Sequence, residues 1–188
     1  MNTSEPINIY YSHWKQLLIV LGCIAFAVIC FFALRHPNAK SSWASDFGLW
    51  GGLVFFGGIG LLMLFNLLKD LKDHIPFLTI YDDHLSMYSP LKKTFWDVNF
   101  SDVVSFELQS FHSGKGGKMM ILCIHYKENV QREKMETSGF IKKSLFRFNN
   151  IYAGAMESIP LNMLTMKSRE IAEAVDAKFK SYKQTETL

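Results

Sequence analysis

The sequence predicts an α+β protein in which two membrane-spanning helices precede a small β-barrel or sandwich that ends in an amphipathic helix. Two observations support this fold class. Charge is almost absent from residues 17–68, and beyond them apolar residues alternate with polar ones over several short segments. The chain has 188 residues and a formal net charge of +3. That charge gives no indication of nucleic-acid binding, because nucleic-acid-binding domains carry a much stronger basic bias.

The two apolar runs have the length of transmembrane helices. Residues 17–34 form an uninterrupted apolar run, and residues 47–68 form a second one in which Asn66 is the strongly polar exception. Each is long enough to cross ~30 Å of hydrocarbon, and neither has the polar stripe of a helix buried in a soluble protein. With the short connection 35–46, they predict an antiparallel transmembrane hairpin within residues 1–73.

A cleaved signal peptide is the alternative interpretation of the first run. The run is longer than a usual signal-peptide core, and it begins late. These features favour a permanent membrane anchor.

Basic residues near the span ends predict the orientation. Lys15, Lys69 and Lys72 flank the outer ends, whereas the connecting loop contains Arg35 and Lys40. Because cytoplasmic segments are enriched in Lys and Arg, we expect both termini and the soluble domain, residues 74–188, to lie in the cytoplasm.

Small residues predict where the helices pack. Ala44, Gly48 and Gly52 recur at intervals of four, as do Cys23 and Ala27 on the first span. Such spacing lets helix backbones approach closely, and we favour packing inside the hairpin over a homodimer face. Neither span contains Asp, Glu, Lys or Arg, which argues against a proton relay or ion pathway.

The soluble domain is predicted to consist of short strands and two helices. Apolar alternation or short apolar runs predict strands at 77–81, 85–88, 95–98, 104–109, 119–126 and 157–161. A helical stripe is formed by Ile141, Leu145, Phe148 and Tyr152. A second stripe, on a helix capped by Ser168, is formed by Ile171, Val175, Phe179 and Tyr182.

Several short motifs resemble those of one bacterial family. After the hairpin come IPFLTI at 75–80, Trp96–Asp97–Val98 ahead of Val103–Val104, and Ile159–Pro160–Leu161–Asn162 before the final helix. The chain resembles small uncharacterised inner-membrane proteins with a two-helix transmembrane hairpin and a pleckstrin-homology-like (PH-like) domain. It departs from them at His84, where relatives often have glycine. The resemblance implies a PH-like fold and a multi-pass protein of the cell inner membrane, and it implies no reaction.

Two basic clusters are candidate contacts with lipid or a partner. The loop SGKGGK at 113–118 differs from a nucleotide-binding P-loop because Lys118 leads into a strand rather than a helix. We interpret it as a hairpin turn whose Lys115 and Lys118 could contact anionic head groups. The other cluster is Lys142, Lys143 and Arg147.

The helix that carries this second cluster has two possible roles. It can lie on an anionic membrane surface, or Leu145 and Phe148 can pack on the barrel and leave the cations solvated.

The sequence predicts no catalytic residue, metal site or cofactor. The six histidines are scattered, and the three cysteines show no CxxC spacing. Asp82, Asp83 and His84 are interpreted as turn residues.

We therefore expect a non-enzymatic, membrane-tethered interaction module. It would bind anionic lipid head groups or a membrane protein partner at the inner leaflet, and no nucleic acid. The alternatives are a membrane-associated enzyme with an unrecognised site and a subunit of an envelope complex or homo-oligomer.

Overall fold

The computed structural model describes residues 5–35, 43–89, 93–112 and 118–186. The elements in chain order are β1 (Ile7–Ile9), α1 (His13–Arg35), α2 (Trp43–Asp73), β2 (Leu78–Ile80), β3 (His84–Ser89), β4 (Thr94–Asn99), a 3₁₀ turn (Phe100–Asp102), β5 (Val103–His112), β6 (Lys118–Tyr126), α3 (Glu128–Thr137), α4 (Phe140–Ala153), β7 (Glu157–Pro160) and α5 (Ser168–Glu186). The chain is α+β, as predicted. It divides into two compact units, one formed by Ser12–Ile75 and the other by the strands and the remaining helices.

The unit Ser12–Ile75 contains α1 and α2, and both helices are long and apolar enough to cross a membrane. They pack against each other through small residues. A Cβ atom placed on Gly52 would lie 3.2 Å from the Sγ of Cys30, and one placed on Gly60 would lie 3.2 Å from the Cβ of Cys23. Gly52, near the start of α2, meets Cys30 near the end of α1, and the later Gly60 meets the earlier Cys23. The two helices therefore run in opposite directions.

The first sheet contains a strand that the sequence does not predict. Its strand order is β1-β2-β3-β4, and all neighbours are antiparallel. In β1, Ile7 pairs with Ile80 and Ile9 pairs with Leu78. The segment that follows β1 is also fixed, because the carbonyl of Tyr10 accepts a hydrogen bond from the amide of Thr165 at 2.9 Å. The strand before the apolar helices therefore completes the sheet that begins after them.

The second sheet has the order β5-β6-β7, again antiparallel. Its central strand, β6, is covered on both faces. Leu122 and Ile124 belong to the main core, whereas Ile121 and Cys123 form a smaller cluster with Ala153 at the end of α4. Burial on both faces explains why β6 is a continuous apolar run instead of an alternating one.

The main core lies between the sheets and α5, and the predicted stripe of α5 is confirmed. Ile171, Val175 and Phe179 are buried, and Tyr182 is partly buried against the same cluster. The ring of Phe100 contacts Phe179 edge-to-face with centroids 5.5 Å apart. Edge-to-face geometry suits the aromatic quadrupoles and adds to the stabilisation from burial.

Strand pairing does not close the two sheets into a barrel in the described part of the chain, since no strand of one sheet pairs with a strand of the other. The strand and helix predictions beyond residue 74 correspond to β2–β7, α4 and α5, with bounds that differ by a few residues. Helix α3, between β6 and α4, is a second element that the sequence does not predict.

Candidate functional site

Helix α4 has a narrow buried side. Phe146 and Ala153 are the buried residues of the helix, and the carbonyl of Ala153 lies 3.7 Å from the Sγ of Cys123 on β6. The helix ends at Gly154, whose φ of 62° is the left-handed conformation that glycine adopts without steric cost. Its amide donates to the carbonyl of Asn150 at 3.1 Å, which satisfies one of the last helical carbonyls.

The larger apolar face of α4 is exposed. The large apolar side chains that point away from the rest of the unit, with their exposed fractions, are Phe140 (88%), Ile141 (77%), Leu145 (56%), Phe148 (55%), Ile151 (79%) and Tyr152 (64%). We call these six residues the α4 apolar face. Leu145 and Phe148 therefore do not pack on the strands, which was one of the two interpretations open from sequence. The residues that do pack, Phe146 and Ala153, lie outside the predicted stripe.

The predicted basic cluster lies on the same helix. Lys142 and Arg147 are exposed and Lys143 is half-buried. The Nζ of Lys142 lies 5.2 Å from the ring centroid of Phe146, a cation–π contact that holds the lysine stem along the helix. None of the three cations forms an ion pair with a described acidic residue. Helix α4 thus presents uncompensated positive charge beside apolar surface.

Only part of the other predicted basic cluster belongs to the described residues. Lys118 is exposed at the start of β6, and Lys115 lies outside the described residues. Asn162 fixes this end of the hairpin, because its Nδ2 donates to the carbonyl of Lys118 at 2.9 Å and its Oδ1 accepts from the amide of Met120 at 2.5 Å. The basic side chain therefore extends from an anchored strand end.

The predicted helix-packing residues occupy different environments. Gly52 faces α1 closely, whereas a Cβ atom on Gly48 would have no neighbour within 4 Å. Ala44 is part of α2, and its side chain lies outside the described set. Gly60, which the sequence pattern does not single out, makes the approach to Cys23. Close helix contact therefore depends on Gly52 and Gly60, two helical turns apart.

A buried polar cluster joins α3 to the second sheet. The carboxylate of Glu157, on β7, accepts a short hydrogen bond from the hydroxyl of Tyr126 on β6. The Nζ of Lys134 on α3 lies 3.1 Å from the same carboxylate and 3.9 Å from the centroid of the Tyr126 ring. Burial and then the adjacent carboxylate raise the pKa of Tyr126. Because each polar group has a partner, the cluster is suited to holding α3 in place.

The Asp82–His84 segment connects elements within the same unit. The Oδ1 of Asp82 lies 2.5 Å from the Nζ of Lys178 on α5. The Oδ1 of Asp83 lies 2.6 Å from the Nδ1 of His84, whose ring stacks on Tyr81. The two carboxylates have different partners, and the contact of Asp82 with Lys178 attaches α5 to the first sheet.

Among the described residues, no group of three or more His, Cys, Asp or Glu side chains is placed to hold a metal ion. Cys123 is fully buried, and this burial, followed by the charge of Glu107, raises the pKa of its thiol from 9.0 to about 11. A thiol held in its neutral form is a weak nucleophile and a poor metal ligand.

Comparisons with protein-family models, with curated proteins and with solved structures found no match to this chain.

Proposed function

We propose that this chain is a non-enzymatic, membrane-tethered interaction module that binds anionic lipid head groups through α4. The observation that carries the proposal is the combination on one exposed helix of an apolar face and three cations, Lys142, Lys143 and Arg147, with no acidic residue. Near an anionic leaflet each cation contributes about 1 kcal/mol of attraction. Lys118 adds a further exposed cation on the same unit.

The two apolar helices are the membrane tether in this proposal. Their large side chains are mostly exposed, including Leu61 at 69%, Val54 at 70% and Phe65 at 67%. A water-soluble protein rarely exposes so continuous an apolar surface, whereas a lipid-facing helix requires it.

Strand pairing supports a hairpin with both ends on one side of the membrane. Strand β1 precedes α1 and β2 follows α2, yet Ile9 and Leu78 are paired neighbours in one sheet. A chain that crossed the bilayer once between them would place these strands on opposite sides. The basic residues outside the spans favour the cytoplasmic side, and with the family resemblance they give the cell inner membrane as the location.

A PH-like fold for the strand-containing unit is also part of the proposal. Sheets of four and three antiparallel strands, with a C-terminal helix packed on their shared core, support it. In that arrangement the transmembrane hairpin is inserted between β1 and β2, while α3 and α4 are inserted between β6 and β7.

The test is vesicle flotation of a soluble version that retains β1. Since the amide of Phe77 donates to the carbonyl of Ile9 at 2.9 Å, a short glycine linker from Ser12 to Ile75 can replace the two helices. A fragment that begins after α2 would lack β1 and expose the edge of β2. Circular dichroism establishes that the protein folds before its binding is measured. We expect binding to anionic vesicles, weakened by salt because exposed charges are screened, and little binding to neutral vesicles.

The double substitution Lys142→Glu/Lys143→Glu should weaken this binding by at least about 30-fold, since the loss of two cations removes about 2 kcal/mol. The matched control is Lys167→Glu/Arg169→Glu, which changes the net charge equally at side chains that are 85% and 86% exposed at α5. Equal effects of the two pairs would show that binding depends on net charge alone. Absence of binding to anionic vesicles at low salt would rule out head-group recognition by this unit.

A further inference from the structure

We infer that α4 is an interfacial helix whose α4 apolar face inserts between the head groups and acyl chains of the bilayer. The inference rests on the proposed function and deepens it. Head-group attraction alone requires cations at the surface, whereas insertion requires a broad apolar face that the described residues leave exposed.

The arrangement of residues around the helix fits insertion. Successive residues are ~100° apart around an α-helix, which places the six residues of the α4 apolar face within an arc of about 140°. Ser144 is the polar residue inside this arc. The buried residues Phe146 and Ala153 lie on the opposite side of the helix, where Ala153 packs against Ile121 and Cys123 of β6. The helix therefore has one side seated on the sheet and a second, wider side directed outward.

The α4 apolar face is large enough to be an interaction surface. Phe140, Ile151 and Ile141 are each at least 77% exposed. Single exposed apolar residues are normal on a protein surface, but a contiguous set of six on one helix marks an interaction surface. Placed in the boundary between head groups and acyl chains, each of these side chains leaves water, which is the driving force for interfacial helices.

The charges favour a lipid surface over a protein groove as that occupant. Arg147 and Lys143 border the arc on one side and Lys142 borders it on the other, each within about 60° of its edge. Cations in this position can extend to anionic head groups while the apolar residues between them enter the bilayer. The helix contains no acidic residue that anionic lipid would repel. The proposed tether also holds α4 at a high effective concentration near a bilayer, so modest insertion is sufficient.

The experiment uses the full chain in lipid nanodiscs, with an environment-sensitive fluorophore attached to one introduced cysteine. Cys23 and Cys30 are replaced by alanine, and the fully buried Cys123 is retained. The labelled variants are Ile141→Cys and Asn150→Cys. Both positions are exposed on α4, and being nine residues apart they lie about 180° from each other around the helix. One quencher is a nitroxide on the lipid acyl chain, and the other is iodide in the water.

Insertion predicts opposite results for the two labels. The acyl-chain nitroxide should quench the label at position 141, and iodide should quench the label at position 150. For each quencher, the quenching of the two labels should differ at least threefold. The difference should persist at high salt, because salt does not screen apolar contacts. Iodide quenching of both labels overturns the inference. In that case the proposed function still stands if Lys142→Glu/Lys143→Glu weakens binding to anionic vesicles, because surface attraction requires no insertion.

Protection of position 141 from both quenchers also overturns the inference, since it indicates a second copy or another protein on this face. Two further substitutions avoid any effect of the label itself. In the soluble version that retains β1, Ile141→Glu should lower the affinity for anionic vesicles about tenfold or more. Asn150→Glu makes the same change of charge and should lower this affinity much less. Equal losses from these two substitutions would contradict insertion.

Discussion

Removal of the Lys134 ammonium group tests whether the buried polar cluster holds α3 on the second sheet. The carboxylate of Glu157 is 6% exposed and Lys134 is 23% exposed, with 3.1 Å between Nζ and Oε2. Breaking a buried ion pair by removing one partner typically costs about 3–5 kcal/mol, because a charge is left uncompensated. Lys134 retains some contact with water, so we expect Lys134→Met to cost less, about 2–3 kcal/mol.

The measurement is amide hydrogen exchange of peptides from β6 and β7 in the full chain in micelles. If Lys134→Met lowers stability by about 2–3 kcal/mol, amides that exchange when these strands open should exchange about 30- to 150-fold faster. The matched control on the same helix is Arg132→Met, which removes a pair with Glu128 whose side chains are 72% and 90% exposed. Such an exposed pair contributes little to stability, so its loss should change exchange by less than about threefold.

A second substitution separates charge from packing. Glu157→Gln removes the charge but keeps a side-chain oxygen that can accept the hydrogen bond from Tyr126. Combined with Lys134→Met, it should recover more than half of the lost protection, because no buried charge then lacks a partner. The reasoning is refuted if Lys134→Met behaves like Arg132→Met, or if the double variant is less protected than Lys134→Met alone.

Three further predictions concern the helix contact, the buried thiol and the core. Gly60→Cys should form a disulfide with Cys23 under mild oxidation, because their Cβ atoms would be close. Gly58→Cys is the control and should form none, because a Cβ atom there has no neighbour within 4 Å. The disulfide is detected as a loss of thiol labelling after denaturation. Because the folded state keeps the Cys123 proton at a pH where the unfolded chain has lost it, stability should fall as pH rises from 9 to about 11. A Cys123→Ala variant should show a smaller fall in urea titrations. Phe179→Ala should cost about 3–5 kcal/mol, seen as a lower unfolding midpoint of the strand-containing unit; a loss below about 1 kcal/mol would contradict its place in the core.

The elements with strong hydrophobic periodicity are the ones that the sequence predicts. In α5, Ile171, Val175 and Phe179 recur every four residues and meet the same core. Strand β3 is recognisable because Leu85 and Met87 alternate with polar residues. Periodicity is informative here because one face of each element is apolar and lies against the main core, whereas the other face carries polar side chains.

Elements that lack this contrast escape sequence prediction. Strand β1 has three residues, too few to establish alternation, and its partner Leu78 is 69 residues from Ile9 along the chain. Helix α3 has no buried residue and so has no apolar stripe to detect. For α4, periodicity identifies the apolar face but not what covers it. Phe146 and Ala153 lie off the stripe and are buried. Ala153 packs against Ile121 and Cys123, which make β6 apolar on its outer face too.

The pairing of β1 with β2 makes completion of the first sheet depend on the apolar helices between them. Residues Ile7–Ile9 reach Leu78–Ile80 only after the chain has passed through α1 and α2. Closing so long a loop by chance costs entropy, and two packed antiparallel helices reduce that cost by returning the chain to its starting side. If the helices span a bilayer as proposed, β1 and β2 can pair only when both spans are inserted. Helix packing at Gly52 and Gly60 and the stability of the strand-containing unit are therefore linked.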